Sequence, residues 1–302
     1  MHLHRSPSGF VVQAPAKVNL FFEVLGKRED GYHDIETLVT PITLCDTLFF
    51  RESSAPRIDF TCRRLVAPSA ASAAGDDVVP EGPENLVVRA VNLLRRRAGV
   101  DGGAAVHLVK RIPSAAGLGG GSSDAAAALV AANAGWRLGW SDQRLAELGA
   151  ELGSDVPLFF ARGAAVCRGR GELVDPLGGF GNLHLVVVRP PAGLSTAAVY
   201  RICQTGDPPR PMAPLLEALR RGDLGRAGRL LFNRLESAAE TLSPWIRRLR
   251  QEMGRMDCLG HQMSGSGTCY FGICRHQRHA RRVANRLEAN GVGIAFAVRG
   301  SL

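Results

Sequence analysis

Cysteine pairs with the spacing of metal sites or disulfide frameworks are absent from this sequence. Its seven cysteines include no C-x-x-C pair, and an odd number cannot all be joined in disulfides within one chain. We therefore expect neither a disulfide framework nor a zinc site, and we interpret the cysteines as buried free thiols.

Long apolar stretches are absent as well. No segment approaches the roughly 20 apolar residues that a membrane-spanning helix needs, and the N-terminal sequence MHLHRSPSGFVVQ lacks the apolar segment of a signal peptide. These absences predict a cytoplasmic protein with no membrane association. With 302 residues, of which 45% are hydrophobic, the chain can bury a large core, and we expect two domains.

Lysine is nearly absent, although the net charge is +9. The only lysines are Lys17, Lys27 and Lys110, and every other permanently charged cation is an arginine. An ammonium group is more compact than a guanidinium group, and its pKa is more easily shifted. We therefore expect these lysines to lie against a phosphate or a carboxylate, where an arginine could not replace them.

The arginines fall in scattered groups, at residues 95–97, 220–221, 247–250 and 275–286. A basic chain of this kind would suit nucleic acid, and a basic RNA-binding protein is an alternative interpretation. Because the groups are dispersed, we interpret them as solvated helix faces and predict no nucleic-acid partner.

A glycine-rich segment at residues 110–134, KRIPSAAGLGGGSSDAAAALVAANA, is the most informative part of the sequence. Ser122 and Ser123 are favourable caps for the alanine-rich helix that follows, whose N-terminus would attract an anion. Four glycines can adopt positive φ and turn their N–H groups toward the same anion: Gly117, Gly119, Gly120 and Gly121. We interpret the segment as a phosphate-binding loop, with a tight turn as the alternative.

This loop differs from the common nucleotide-binding motifs. Ser122 stands where a Walker loop has lysine and where a dinucleotide fingerprint has its third glycine. No H-R-D or D-F-G sequence follows, which excludes a protein kinase.

From Pro113 onward, P-S-A-A-G-L-G-G-G-S-S-D-A-A-A-A resembles the ATP-phosphate loop of the GHMP kinases, the family of galactokinase, homoserine kinase and mevalonate kinase. The resemblance extends from about residue 14 to about residue 300. It implies an α+β, two-domain GHMP kinase fold. An N-terminal ribosomal-S5-like domain (1–166) would bind ATP and carry the catalytic residues, and a C-terminal ferredoxin-like domain (167–302) would bind the substrate.

The same resemblance implies the ATP contacts. From the pattern alone, Asn85 begins a helix that Gly99 ends, so capping is its alternative role. The predicted ATP-binding residues are Asn85, Lys110, Pro113, Gly117, Leu118, Gly119, Gly120, Gly121, Ser122 and Ser123. The ATP-dependent activity implies Mg²⁺ as a cofactor, but no metal ligand is identifiable, and we expect the ion to bind mainly through the ATP phosphates.

Residues 16–24, AKVNLFFEV, alternate as a half-buried strand. The predicted apolar face consists of Val18, Leu20, Phe22 and Val24. Lys17 and Asn19 share the opposite face, roughly 6–7 Å apart. A plain solvent-facing strand is the alternative interpretation.

A helix is predicted over residues 141–153, from Ser141 as N-cap to Gly153, and Asp155 follows it. A carboxylate in such a turn is commonly a cap. However, the segment also resembles the L-G-x-D-V-P-x-F motif of the GHMP kinases, in which this aspartate is catalytic and pairs with the lysine of the first strand. The resemblance implies that Asp155 accepts the proton of the attacking hydroxyl, while Lys17 keeps Asp155 ionised and offsets charge on the phosphoryl group.

The sequence A-K-V-N-L, followed by L-G-K-R-E-D-G-Y-H at residues 25–33, resembles one GHMP branch in the non-mevalonate isoprenoid pathway. That branch phosphorylates a small molecule carrying a cytidine diphosphate. The resemblance implies that Tyr32 stacks on the cytosine and that His33 hydrogen-bonds its edge, whereas the pattern alone suggests a turn with a packed aromatic residue. Another GHMP kinase, of the homoserine or mevalonate type, is the alternative function.

Two further loops are assigned to the acceptor by the resemblance. One follows the buried strand predicted at residues 183–189, and the other, MSGSGTCYF at residues 263–271, resembles the third GHMP motif. A plain connection and a β-turn are the respective alternatives. The predicted substrate-binding residues are Asn19, Tyr32, His33, Thr196, Tyr200, Gly265, Ser266 and Gly267.

Residues 63–84 are rich in alanine, serine, proline and glycine, and we predict a surface loop there. The sequence is compatible with either a monomer or a homodimer.

Overall fold

The computed structural model describes residues 1–65, 79–80, 82–161, 163–178 and 181–301. Its strands are β1 (His2–Ser6), β2 (Gly9–Lys27), β3 (His33–Ser53), β4 (Ile58–Arg64), β5 (Gly103–Lys110), β6 (Ala165–Gly169), β7 (Leu173–Pro176), β8 (Asn182–Arg189), β9 (Phe232–Asn233), β10 (Gly260–Met263), β11 (Tyr270–Cys274) and β12 (Ile294–Ser301). Its helices are α1 (Leu86–Ala98), α2 (Gly120–Gly135), α3 (Asp142–Ala150), α4 (Thr196–Ile202), α5 (Ala213–Arg220), α6 (Leu224–Leu230), α7 (Glu236–Leu242), α8 (Pro244–Gly254) and α9 (Gln277–Ala289). A 3₁₀ turn covers Pro157–Phe160.

The strands form one hydrogen-bonded network in two parts. In the N-terminal half, β2 and β3 make a long antiparallel pair. Strand β5 pairs with residues 47–53 of β3, and β6 pairs with its residues 35–39. In the C-terminal half, the antiparallel order is β12-β8-β11-β10, with the β-α-β-β-α-β connectivity of a ferredoxin-like unit. The prediction of an α+β fold is confirmed.

Three buried clusters stabilise this arrangement. The N-terminal cluster surrounds α2, whose Ala125 to Ala128 are fully buried, because alanine lets the helix approach the sheet and α1 closely. A second cluster combines strand residues of both halves, including Leu20 and Leu185. The two halves therefore share a core, and the cleft between them is built on a common support.

Strand β6 contains the predicted domain boundary between residues 166 and 167, and it pairs with β3 and β7. The division of the chain into an ATP-binding and a substrate-binding domain stays a prediction.

The predicted alternation along β2 holds only in part. Val18 and Leu20 belong to the cluster shared by the two halves, whereas Phe22 and Val24 belong to the third cluster, formed mainly by C-terminal residues such as Val186. The prediction that Phe22 and Val24 share a face with Val18 and Leu20 is wrong, because a bulge between Asn19 and Phe21 interrupts the two-residue repeat.

Other local predictions are confirmed with small differences. Asn85 caps α1, and Gly99 ends it at φ 64°. Ser141 caps α3, but this helix ends at Ala150 rather than at Gly153. The strand predicted at residues 183–189 is β8.

All seven cysteines are free thiols, as predicted, but only three of them are buried: Cys167, Cys269 and Cys274. Of the predicted loop at residues 63–84, residues 66–78 and 81 lie outside the described residues, and the first two positions belong to β4. Within the described ranges, no helix is long and apolar enough to cross a membrane.

Candidate active site

A cleft of about 1160 Å³ lies between the two halves of the chain. All three lysines line it, and two of them, Lys17 and Lys110, lie near carboxylates as predicted; for Lys27 this stays a prediction. Every residue predicted for the site lines the cleft except Ser123. The structure therefore brings together segments that are more than two hundred residues apart in the sequence.

The glycine-rich loop ends in helix α2, which begins at Gly120. Gly119 occupies the N-cap position at φ 68°, so no side chain caps this helix. The prediction that Ser122 and Ser123 cap this helix is wrong, because the left-handed Gly119 starts the helix before them. Ser123 donates its N–H to the Gly119 carbonyl at 2.9 Å, and its hydroxyl is buried without a partner in the described protein.

The first turn of α2 has backbone N–H groups of the kind that bind anions. The N–H groups of Gly120, Gly121 and Ser122 precede the first full helical hydrogen bond, and these residues line the cleft. The positive end of the helix dipole adds to their attraction for phosphate.

Close contacts of the loop explain two of its glycines. A Cβ on Gly117 would lie 2.2 Å from the Ser264 carbonyl oxygen, so only glycine fits there at φ 73°. A Cβ on Gly119 would lie 3.1 Å from Cγ of Lys17. The glycine-rich loop therefore packs directly on strand β2 and on the loop after β10.

Lys17 is held tightly beside this loop. Its Nζ donates to Asn19 Oδ1 at 2.7 Å, its backbone N–H donates to the Leu118 carbonyl at 2.9 Å, and the residue is only 5% exposed. Asn19 in turn donates to Thr37 Oγ1 at 2.9 Å. The lysine head is thus fixed by a buried network that the sequence analysis recognised only at Lys17 and Asn19.

Asp155 lies opposite Lys17, with 3.9 Å between Oδ2 and Nζ. Its side chain is 45% exposed and lines the cleft, whereas that of Lys17 is nearly inaccessible. The turn before Pro157 thus presents a carboxylate to the cleft, next to a buried cation.

Lys110 sits in a buried group of charges that the sequence analysis missed. Its Nζ donates to Asp124 Oδ2 at 2.6 Å and to Asp46 Oδ2, while Asp46 Oδ1 accepts the N–H groups of Arg111 and Ile112. Burial opposes the charge of Lys110, but the two carboxylates outweigh it and raise its pKa above the usual range. Lys110 therefore remains an ammonium, and two of its three N–H groups have acceptors among the described residues.

Asp124 lies in the first turns of α2, whereas Asp46 lies inside strand β3. Burial raises the pKa of Asp124, Lys110 opposes this shift, and the charge of Asp46 adds to it. The only sequence signal for Asp46 is that it is the single acid in the mostly apolar stretch 38–50 of strand β3.

The other end of the cleft carries the aromatic groups. Tyr32 is 54% exposed, and the His33 and Tyr200 rings lie 5.0 Å apart. The Arg170 guanidinium carbon lies 4.9 Å from the centre of the Tyr32 ring. Three cationic side chains at this end were not predicted as site residues: Lys27, Arg170 and Arg201.

Hydrogen bonds define the loops around this end. Asp30 Oδ1 accepts the Tyr32 N–H at 3.1 Å, which fixes the turn, and the hydroxyls of Thr196 and Ser266 lie 2.8 Å apart.

Partial burial, followed by the charge of Lys27, lowers the pKa of His33. His33 is therefore neutral at physiological pH and can take part in hydrogen bonds as a neutral imidazole.

Asn85 lines the cleft, but its side-chain amide is already engaged. Oδ1 accepts the Val87 N–H at 2.8 Å, and Nδ2 donates to the Pro80 carbonyl at 2.6 Å. The capping role is thus observed, and contact with ATP stays a prediction.

Two family profiles match this chain. The GHMP kinases N terminal domain matches residues 85–163, and the GHMP kinases C terminal domain matches residues 215–293. These spans include the phosphate loop with Asp155 and the loop after β10, respectively. The predicted GHMP kinase fold is confirmed.

Individual relatives agree with the family profiles. The chain is 42% identical over 275 residues to 4-diphosphocytidyl-2-C-methyl-D-erythritol kinase of Pelotomaculum thermopropionicum, covering 90% of this chain and 92% of the relative. A crystal structure of 4-(cytidine 5'-diphospho)-2C-methyl-D-erythritol kinase aligns with a TM-score of 0.80 at 37% identity, covering 97% and 99% of the two chains. A homoserine kinase from Cytophaga hutchinsonii, at a TM-score of 0.74 and 18% identity, covers 100% of this chain and 97% of its own, and shares the fold.

Proposed function

This chain belongs to the GHMP kinase family, and on that premise we propose that it phosphorylates 4-diphosphocytidyl-2-C-methyl-D-erythritol with ATP. The 2-hydroxyl of the acceptor receives the γ-phosphoryl group, which gives the 2-phosphate and ADP, in the formation of isoprenoid precursors by the non-mevalonate pathway. One observation supports this proposal most directly. Lys17 and Asp155 lie in the same cleft as the N-terminus of α2, and the aromatic side chains Tyr32, His33 and Tyr200 line its other end.

ATP is assigned to the side of the cleft formed by residues 85–123, which supplies all the proposed nucleotide contacts. The N–H groups of Gly120 to Ser122 would hold the phosphates, and Lys110 would offer its remaining N–H. Of the residues predicted for this task, Ser123 faces the interior and is left out of the proposed contacts. The acceptor contacts come from both halves of the chain.

In the proposed transfer, Asp155 accepts the proton of the acceptor hydroxyl as its oxygen attacks the γ-phosphorus. The bond from that phosphorus to the bridging oxygen breaks, and ADP leaves with the electron pair. The Lys17 ammonium lies 3.9 Å from the Asp155 carboxylate and would offset the negative charge on the phosphoryl oxygens. Positioning and electrostatics of this kind account for most of the catalysis in phosphoryl transfer.

Mg²⁺ fits this site as an ion held mainly by the nucleotide. Within the described residues, no group of three His, Cys, Asp or Glu side chains could hold a metal. The exposed Asp155 carboxylate and the Ser122 hydroxyl lie at the cleft, and Mg²⁺ commonly combines one or two such oxygens with phosphates and water. When bound, the ion would neutralise charge on the phosphates.

Base recognition selects this acceptor within the family. A tyrosine ring that is 54% exposed offers a stacking surface, and a neutral imidazole beside it can hydrogen-bond to a cytosine edge. The diphosphate of the acceptor is complemented by the cations Lys27, Arg170 and Arg201 at this end.

An ADP-release assay tests the proposal directly. The cytidyl acceptor, homoserine and mevalonate are offered side by side at equal ATP, and each product is identified by mass. We expect turnover of the cytidyl acceptor alone. Preferred phosphorylation of homoserine or mevalonate would refute the acceptor assignment while retaining the family.

A further inference from the structure

Asn233 is a buried residue outside every motif of the sequence analysis, yet it touches the loop beside the catalytic lysine. It lies in β9 and is 7% exposed. Its Nδ2 donates to the carbonyls of Met263 at 2.9 Å and Gly265 at 2.8 Å, while its Oδ1 accepts the Leu235 N–H at 3.0 Å. Both amide protons are therefore used, and the amide can adopt only this orientation.

The loop that Asn233 holds is fixed from other directions as well. Glu236 accepts the Met263 N–H at 3.1 Å and the Tyr270 hydroxyl at 2.7 Å. The Ser264 hydroxyl donates to the Gly117 carbonyl at 3.1 Å, which ties the loop to the phosphate loop. The backbone after β10 is thus a rigid part of the site.

The loop reaches the catalytic pair at Gly265. A Cβ there would lie 3.2 Å from Lys17 Nζ and 3.3 Å from Asn19 Oδ1, and Gly265 has φ 56°. Glycine at this position lets the backbone approach the lysine head directly. A rotation of this backbone would therefore displace groups that lie next to Lys17 and Asn19.

The peptide group between Gly265 and Ser266 is the one that Asn233 orients. In a trans peptide the carbonyl oxygen and the N–H point in opposite directions. Because the Gly265 carbonyl points to Asn233, the Ser266 N–H points away from it. Ser266 lines the cleft, and its N–H has no acceptor among the described residues.

We propose that Asn233 is a positioning residue that turns the Gly265–Ser266 peptide so that the Ser266 N–H faces the phosphoryl group being transferred. A fixed donor aimed at developing charge stabilises a transition state without reorganisation. The inference rests on the proposed function, because the charge it serves is that of the phosphoryl group passing from ATP to the acceptor.

Asn233→Asp tests this role. The carboxylate keeps the shape of the amide but places an oxygen against two carbonyls, so the peptide should rotate. We expect kcat to fall by about 10²-fold, the scale for a slight misplacement of a catalytic group, with KM for ATP unchanged. As the pH is lowered, protonation of the new carboxyl restores one donor, so kcat relative to the wild type should recover.

Asn233→Ala provides the second variant if the aspartate variant does not fold. It removes the donors without adding a titratable group, so its kcat should fall while its ratio to the wild type stays constant with pH.

Asn133→Asp is the matched control, because Asn133 binds the Trp140 backbone through two hydrogen bonds of 3.0 Å outside the cleft. It should lower the melting temperature without changing kcat.

The outcomes separate this inference from the proposed function. Wild-type turnover is measured first, and its absence with the cytidyl acceptor counts against the proposed function; the variants are then compared with whichever acceptor releases ADP. Wild-type kcat in a folded Asn233 variant would overturn the inference. So would identical pH dependence of the aspartate and alanine variants, or an equal loss of kcat in Asn133→Asp.

Discussion

The two ends of the cleft are built in different ways. At the phosphate end, Lys17 and Lys110 are 5% and 6% exposed, and both are held by buried hydrogen bonds. At the base end, Tyr32 is 54% exposed and sits on a turn fixed by Asp30. Under the proposed function, this difference reserves fixed geometry for the group that reacts and leaves recognition of the base to an accessible surface.

Physical chemistry accounts for this division. Phosphoryl transfer depends on atoms held close to their reactive positions, so small displacements are costly. Stacking on an aromatic face tolerates sliding, and an exposed ring lets the acceptor enter and leave. Changes at the phosphate end should therefore lower kcat, and changes at the base end should raise KM for the acceptor.

Asp155→Asn should produce the largest effect. Loss of the proton acceptor should lower kcat by about 10²- to 10⁴-fold, as expected for removal of a general base, with KM for both substrates nearly unchanged. Steady-state kinetics measure this split. Activity close to that of the wild type would remove Asp155 from the mechanism.

The folding of Asp155→Asn serves as its control. Asp155 is half-exposed, and its ion pair with Lys17 spans 3.9 Å, so the pair contributes little to stability. The melting temperature should stay at the wild-type value, and a loss of kcat then reports on chemistry.

Lys17→Arg should be nearly as damaging as Lys17→Met, at about 10²-fold in kcat for a misplaced cation. Asn19 and the backbone at Gly265 lie against the Lys17 head, and Gly119 lies against its methylenes, so the larger guanidinium could not take the same position. The same assay compares the two variants. If arginine restores most of the rate, a positive charge alone suffices and the argument from lysine scarcity fails.

Tyr32→Ala should affect binding at the base end of the cleft. Loss of base stacking should weaken acceptor binding by roughly 1–3 kcal/mol, which corresponds to about 5- to 150-fold in Kd. Calorimetric titration of the acceptor measures this, and ATP affinity should stay constant. Phe49→Ala removes another exposed aromatic ring outside the cleft and should leave both affinities unchanged.

Titration of His33 should give the smallest effect. Its pKa lies below the usual 6.5, so the imidazole is neutral at pH 7 and above and gains its proton only at lower pH. Acceptor KM should be constant above neutral pH and rise on acidification, a rise that His33→Ala should abolish. Lys27→Met removes the neighbouring charge and should move the rise to higher pH; an unchanged profile would contradict the role of His33.

Local patterns predicted much of the site. The glycine run, the alternation that pairs Lys17 with Asn19, and the turn before Tyr32 are short-range signals, and all of these residues line the cleft. The errors arose where a backbone detail changed the pattern. The left-handed Gly119 started α2 before the serines, and a bulge after Asn19 displaced Phe22.

Contacts between distant segments were not predicted from the sequence. Asp46 meets Lys110 across 64 positions, and Asn233 meets Gly265 across 32 positions. Neither residue stands in a spacing that defines a chemical motif. Their roles depend on how strands pair, which a single sequence does not specify locally.

Parallel kinetics of Asp155→Asn and Tyr32→Ala with ATP and the cytidyl acceptor test the division of the cleft most directly. The account predicts that Asp155→Asn loses kcat at constant acceptor KM, whereas Tyr32→Ala raises acceptor KM at nearly constant kcat. If both variants changed kcat and acceptor KM in the same proportion, the two ends would act as one unit, and the account would be contradicted.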